Sequence, residues 1–304
     1  MLAILKRLCG AAIVLVGALT LVFFVLYWLP GDPASIMMGD DAPPELIDKL
    51  SAELGTNKPL WEQYLSYAKR LATGDLGTSY VTGEPVVSRL LAQFPATLAL
   101  TTAATLTSTL FGVILGVISA VHVGDWVDRT IQTVILFLTS MPTFWIGILL
   151  VLLFSLKLQW LPAIGNGSLQ QLILPVACLG IGGSARVARM VRNNVLEVIQ
   201  EPFVTALRGK GLLEHVIIYG HVLRNALIPV VTVLGMLTAD MLGGTVIIET
   251  LFARQGLGRL IQESINSKDI PMVQGAVLLA ASFYIVINAL VDQSYRWIDR
   301  RVEV

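Results

Sequence analysis

The chain has 304 residues, 55% of them hydrophobic and only 14% charged, and its 21 basic and 21 acidic residues balance to a net charge of zero. A mean hydropathy of +0.74 is too high for a water-soluble domain of this size, and a neutral chain has no global field to draw in nucleic acid or acidic substrates. What remains is an integral membrane protein, in which the position of the basic residues matters more than their number.

Lys6 and Arg7 precede an uncharged run over 8–30. At about 20 residues it is longer than the apolar part of a signal peptide, and no small-x-small cleavage pattern follows. A retained first helix is predicted, with its N-terminus in the cytoplasm and Leu29-Pro30-Gly31-Asp32-Pro33 as its stop. Residues 34–89 are mixed and polar, with Leu46, Leu50 and Leu54 at helical spacing, which predicts two short amphipathic helices on the outer face. Trp61, Tyr64 and Tyr67 read as interfacial anchors or, alternatively, as a ligand cage. A second uncharged run, 90–121, is long enough to span with a tilt. A polar break at His122, Asp125, Asp128 and Arg129 separates it from a third run, 130–156. Met141-Pro142 falls inside that run. A mid-span proline bends the helix and frees a carbonyl that protein or a wet cavity must satisfy, so Met141 and Pro142 are candidate walls of a translocation pathway, or a packing kink.

A short outer loop at 161–167 leads to a fourth span, 169–184. Arg186, Arg189 and Arg192 follow at i, i+3 and i+6, which puts three cations on one helical face. They read as anchors at the lipid phosphates, or as gating groups. Next comes a polar island, 201–229, in which a short amphipathic helix ends at Gly209-Lys210-Gly211 and a second periodic stretch leads to Pro229. A fifth span, 227–248, contains Asp240 and is closed by Glu249; a sixth, 270–291, is followed by Arg296, Arg300 and Arg301. A carboxylate inside a span costs several kcal/mol, roughly 2.5–3.5, unless it is protonated, paired or wet. Asp240 and Glu249 are therefore candidate pathway groups, with Asp240 as a hydrated helix end the alternative. The clustering of basic residues predicts six spans with both termini inside.

Several chemistries have no residues to carry them. Gly209-Lys210-Gly211 lacks the spacing and hydroxyl of a phosphate-cradling loop, so any nucleotide belongs to another chain. No zinc-protease or Ser-His-Asp pattern occurs, and His122, His215 and His221 all fall on the predicted cytoplasmic side. Cys9 and Cys178 lie in apolar segments and read as small hydrophobes. No catalytic, metal or cofactor site is expected.

The island carries a resemblance. Its glycine, the spacing to His221 and the ending Leu223-Arg224-Asn225-Ala226-Leu227-Ile228-Pro229 are similar to the cytoplasmic signature loop of binding-protein-dependent ABC importer permeases of the dipeptide/oligopeptide/nickel family. Gly31-Asp32-Pro33, the run Gly74-Asp75-Leu76-Gly77-Thr78-Ser79, the run from Gly243-Gly244-Thr245 to Glu249, and Gly256-Leu257-Gly258-Arg259 extend the match over nearly the whole chain. The short loop at 161–167 resembles the nickel- and glutathione-type members. Pro202, Phe203, Thr205 and Ala253-Arg254-Gln255 depart from the family pattern.

The resemblance implies an all-α membrane protein of the type I importer kind, with six transmembrane helices. It implies an N-terminal helix (1–33), an extracytoplasmic segment (34–89) and a permease core (90–304) whose coupling loop is about 193–226. Glu201, Phe203, Val204, Ala206, Leu207, Lys210 and Gly211 are implied to couple the chain to an ATPase, with Phe203, Val204 and Leu207 buried in the ATPase cleft. The implied partners are a second permease, two ATPase subunits, an extracytoplasmic binding protein and the bacterial inner membrane. The implied cargo is a di- or oligopeptide, or nickel as a chelate. A membrane scaffold or a non-ABC transporter component is the alternative; a membrane enzyme would have only Asp240 and Glu249 to work with.

Overall fold

The computed structural model describes residues 2–28, 33–39 and 42–298; Asp32, Arg300 and Arg301 lie outside them. In chain order the helices are α1 (Leu2–Trp28), α2 (Pro33–Met38), α3 (Pro44–Leu54), α4 (Leu60–Ala72), α5 (Val86–Val121), α6 (Trp126–Ser140) and α7 (Thr143–Leu150), which runs on as a π-helical turn, Val151–Lys157. Then follow α8 (Gln170–Ile199), α9 (Pro202–Gly209) and α10 (Glu214–Val216), with a second π-helical turn, Ile217–Val222, before α11 (Leu223–Ala226). The chain closes with α12 (Ile228–Leu251), α13 (Leu257–Asn266) and α14 (Ile270–Ile298). Among the described residues, α1, α5, α8, α12 and α14 are long and apolar enough to cross a membrane, and Trp126–Ser140 with Thr143–Lys157 makes a sixth span if the bent pair is counted as one.

That pair is bent by 103°. The physical cause is local. The residue before a proline is pushed out of the α region, and Met141 is accordingly extended at φ −88°, ψ 134°, while Pro142 at φ −59°, ψ 137° caps α7. The mid-span bend expected from the sequence is thus a full break.

The chain forms two compact units, Met1–Pro95 with Gln255–Ile285, and Ala96–Arg254 with Val286–Val304. In the first, α4 packs on α1. Phe23 stacks on Tyr67 with ring centroids 5.6 Å apart and meets Tyr64 edge-on at 5.3 Å, and the Tyr64 hydroxyl shares a 2.8 Å hydrogen bond with that of Thr20. This corrects the reading of Tyr64 and Tyr67 as lipid anchors: they pack against a helix, whereas Trp61 is exposed. The run Gly74-Asp75-Leu76-Gly77-Thr78-Ser79 is a clasp. Asp75 Oδ1 accepts the Gly77 N–H at 2.8 Å, and Leu76 packs against a core of Val86, Leu90, Leu257 and Met272. The Ser79 hydroxyl donates to the Asp269 carboxylate at the head of α14, whose other oxygen accepts the Tyr80 N–H at 3.0 Å. The amphipathic α13 was not foreseen from the sequence. Its ten residues are too few for periodicity to stand out beside Gly256 and Gly258.

In the second unit, α5 and α8 cross at small residues. A Cβ added at Gly116 would lie 2.7 Å from the Ala188 carbonyl oxygen and 2.7 Å from Val191 Cβ, whereas Gly182 has nothing within 4 Å. A backbone carbonyl in a packed helix cannot step aside, so overpacking of this kind costs about 1–3 kcal/mol. Gly116→Ala is expected to lower the thermal unfolding midpoint of the purified chain and Gly182→Ala to leave it unchanged. Equal midpoints would show that the crossing has slack.

Candidate functional site

The signature loop is fastened on one face and open on the other. Glu201 is extended, at φ −65°, ψ 144°, and Pro202 takes the first helical position of α9, where its missing N–H is no loss. Val204 is fully buried in the core that holds Val191, Val195, Ile217 and Val222, and Leu207 packs against the same cluster. α9 is closed by Gly211, at φ +78°, whose N–H donates to the Arg208 carbonyl at 2.9 Å. Arg208 then reaches forward to Glu214 in two hydrogen bonds, Nε to Oε1 at 2.6 Å and Nη2 to Oε2 at 3.2 Å, tying α9 to α10. The bonded guanidinium holds the Glu214 carboxyl below the usual carboxylate range.

The expectation that Phe203, Val204 and Leu207 together enter a partner's cleft is corrected in part. Val204 is spent on the chain's own core and Leu207 is half-buried there, because on an eight-residue helix residues 204 and 207 share a face. Phe203, Ala206 and Lys210 are exposed, with Phe203 at 36%. Leu213, Val216 and Tyr219 add to this open apolar surface. Their exposure was not legible in the sequence, where they follow the same periodicity as the buried Ile217.

The three arginines of α8 are not a plain anchor. The helix runs unbroken to Ile199, so Arg186 lies about 24 Å from its start at 1.5 Å per residue, well inside the segment. Arg186 Nη1 sits 3.0 Å from Asp240 Oδ2, and Asp240 is itself about 18 Å along α12. Both side chains are more than half exposed. The open stripes around the pair carry Arg189, Asn193 and Glu197 on α8, and Met236, Gly243 and Ile247 on α12. Arg189 donates to the Thr139 hydroxyl at 3.2 Å. Each of the three cations therefore has a partner in the chain, a reading that local spacing could not supply.

Arg192 makes the third contact and the tightest. Its Nε and Nη2 donate to the two oxygens of Asp128 at 2.9 and 2.8 Å. Asp128 also accepts the Ser119 hydroxyl at 2.5 Å and the Gly124 N–H at 3.2 Å, and Gln132 donates to Ser119 at 2.9 Å. Asp128, read from the sequence as part of a polar break, is buried at 4% exposure. The network joins α5, α6 and α8.

Of the four pathway candidates, the structure leaves Pro142 and Asp240 exposed and Met141 half-buried, and it corrects Glu249. Glu249 is fully buried and accepts the Thr97 hydroxyl at 2.6 Å. Arg254, at 5% exposure, lies near enough to act on its charge, and burial lowers the Arg254 pKa against that attraction. A residue sealed in packing does not line an open route.

A set of five to six apolar spans, with a fastened loop that leaves one face open, defines a multi-pass membrane component. The chain belongs to the family of binding-protein-dependent transport system inner membrane components, whose model matches residues 112–304; the N-terminal model of the same systems matches residues 1–101. It is 36% identical to the dipeptide transport system permease protein DppB of Alkalihalophilus pseudofirmus, over 98% of both chains. It is 38% identical to the glutathione transport system permease protein GsiC of Pectobacterium atrosepticum, over 97% of this chain and 96% of that one. The fold is shared with a chain of the MetNI methionine ABC transporter in inward-facing conformations, at a TM-score of 0.60 and 20% identity, covering 70% of this chain and 97% of that one. The protein is thus a multi-pass permease subunit of an ABC importer of the inner membrane.

Proposed function

We propose that the chain moves small peptides across the inner membrane as one of two homologous permeases, with ATP hydrolysed by two separate ATPase subunits and solute delivered by an extracytoplasmic binding protein. The observation that carries this reading is α9, held to the core by Val204 and Leu207 while Phe203, Ala206 and Lys210 stay open. Glu201 and Gly211 set its two ends. Such a helix can pass a push from a docked ATPase into α8 and α12, because its inner face cannot slide. The relatives named for dipeptide and for glutathione support a short peptide as cargo.

In this reading residues 1–33 form the first helix, 34–89 lie outside, and 90–304 are the core, with both termini and the loop at about 193–226 in the cytoplasm. Lys210 then faces the ATPase. In a Cys9→Ser, Cys178→Ala background, a membrane-impermeant thiol reagent is expected to label Lys210→Cys only in inside-out vesicles, and added ATPase subunit to protect it. Labelling of intact cells, or no protection, would overturn the arrangement.

Met141, Pro142 and the Arg186–Asp240 pair are assigned to the translocation pathway. An ion pair more than half exposed near the middle of two spans is incompatible with lipid and fits a hydrated route. Asp240→Asn is expected to reduce peptide transport about tenfold, about 1.4 kcal/mol in barrier, at unchanged insertion, and the double variant with Arg186→Gln is expected not to restore it. Full transport by the double variant would reduce the pair to packing.

A further inference from the structure

The first unit contains a cleft lined by several polar side chains, Arg70, Tyr67, Tyr80 and Gln274 among them, that make no side-chain hydrogen bond among the described residues. It encloses about 400 Å3 between α1, α3, α4 and the head of α14. One water occupies about 30 Å3 of liquid, so the space suits a molecule and falls within the range of small-ligand sites.

Its wall is unusual in what is left unspent. Arg70, near the end of α4, has no ion pair and no side-chain hydrogen bond among the described residues, and the charge it carries acts on the phenols of Tyr67 and Tyr80. Tyr67 is 6% exposed and its hydroxyl has no hydrogen-bond partner among the described residues. Burial pushes that phenol up to about 12, so it remains a neutral donor. Tyr80 engages Asp269 through its backbone N–H alone. Gln274, on α14, is 8% exposed, and its amide makes no side-chain hydrogen bond among the described residues. Buried polar groups ordinarily find partners, and each one left without costs about 1–3 kcal/mol. Tyr67 is such a group, and with the exposed Arg70, the half-buried Tyr80 and Gln274 around the same cleft it indicates that the partner arrives from outside.

The chemistry of the set identifies that partner. A guanidinium, two phenolic hydroxyls and an amide offer mainly donors, and a guanidinium fork matches the two oxygens of a carboxylate. Glu53 and Lys58 stand at the exposed rim. Glu53 provides an acceptor for an ammonium group at the far end of a short ligand.

We propose that this cleft is a binding site for a zwitterionic carboxylate of about dipeptide size, its carboxylate held by Arg70, Tyr80 and Gln274 and its ammonium facing Glu53. Only the choice of a peptide as probe rests on the transport reading. The test is equilibrium dialysis of radiolabelled dialanine against the full chain in phosphatidylcholine nanodiscs, without ATP or binding protein. Saturable binding is expected, at least tenfold weaker for the C-terminal amide of dialanine and at least tenfold weaker for Arg70→Gln. Tyr67→Phe removes only an unbonded hydroxyl, leaves the fold intact and is expected to weaken binding about threefold. Absence of saturable binding, or equal binding of the amide, or binding unchanged in both Arg70→Gln and Tyr67→Phe, overturns the site. Because no turnover is measured, a failed coupling loop would leave this result untouched.

Discussion

Gly211→Val is expected to abolish binding-protein-stimulated ATPase activity while the chain inserts at normal levels. Gly211 sits at φ +78° with open space where a side chain would go, so the penalty is conformational and not steric crowding. A β-branched residue in the left-handed region costs roughly 1–3 kcal/mol. The chain avoids that cost by opening the turn, which releases α9 from the angle fixed by the Arg208 and Leu207 carbonyls. Gly211→Asn separates this from any other loss, since asparagine tolerates the left-handed region, and it is expected to keep most of the stimulated activity. Phe203→Ala should act on the other side of the same helix. It removes an exposed aromatic with little effect on the chain's own core, and is expected to weaken ATPase association by about 2 kcal/mol if Phe203 is an interface hot spot. Val204→Ala is expected to do the reverse, lowering the stability of the isolated chain by opening a cavity. Stimulated activity at the unmodified level in both Gly211→Val and Phe203→Ala would sink the assignment of this loop as the coupling element.

The spans were legible because lipid leaves the sequence few options: an uncharged run of about 20 residues is read directly. The predicted runs 90–121 and 270–291 fall within the helices Val86–Val121 and Ile270–Ile298. The end of α9 was legible for a similar reason, since Gly211 marks a conformation that few other residues adopt. What escaped was everything that depends on two distant segments meeting. Arg186 and Asp240 are 54 residues apart, and Arg192 and Asp128 are 64 apart. In the sequence, each of these appears beside charged or polar neighbours that supply an easier explanation. Val204 and Phe203 show the same limit at close range. Adjacent apolar residues on a short helix point about 100° apart, and only the position of the core decides which one is buried.

The two ion pairs of α8 also differ in what they should contribute. Asp128 is 6% and Arg192 20% exposed at the side chain, against 63% and 51% for Asp240 and Arg186. Exposed pairs contribute about 0–1 kcal/mol, whereas removing one partner of a buried pair costs about 3–5 kcal/mol because the other charge is left without compensation. Asp128→Ala would also strand the Ser119 hydroxyl and the Gly124 N–H, which now end on the carboxylate. It is therefore expected to lower the stability of the chain by about 3 kcal/mol or more, seen as a fall in the unfolding midpoint in detergent. Arg192→Met is expected to be nearly as damaging, since it leaves a carboxylate buried with only two neutral donors. The double variant, Asp128→Leu with Arg192→Met, removes both charges and is expected to be more stable than either single variant. The cost comes from an uncompensated charge and not from the bond itself, so the ordering of the three is the decisive measurement. A double variant less stable than both singles would mean that the pair acts through its own hydrogen bonds, and that the joining of α5, α6 and α8 depends on the network more than on their packing.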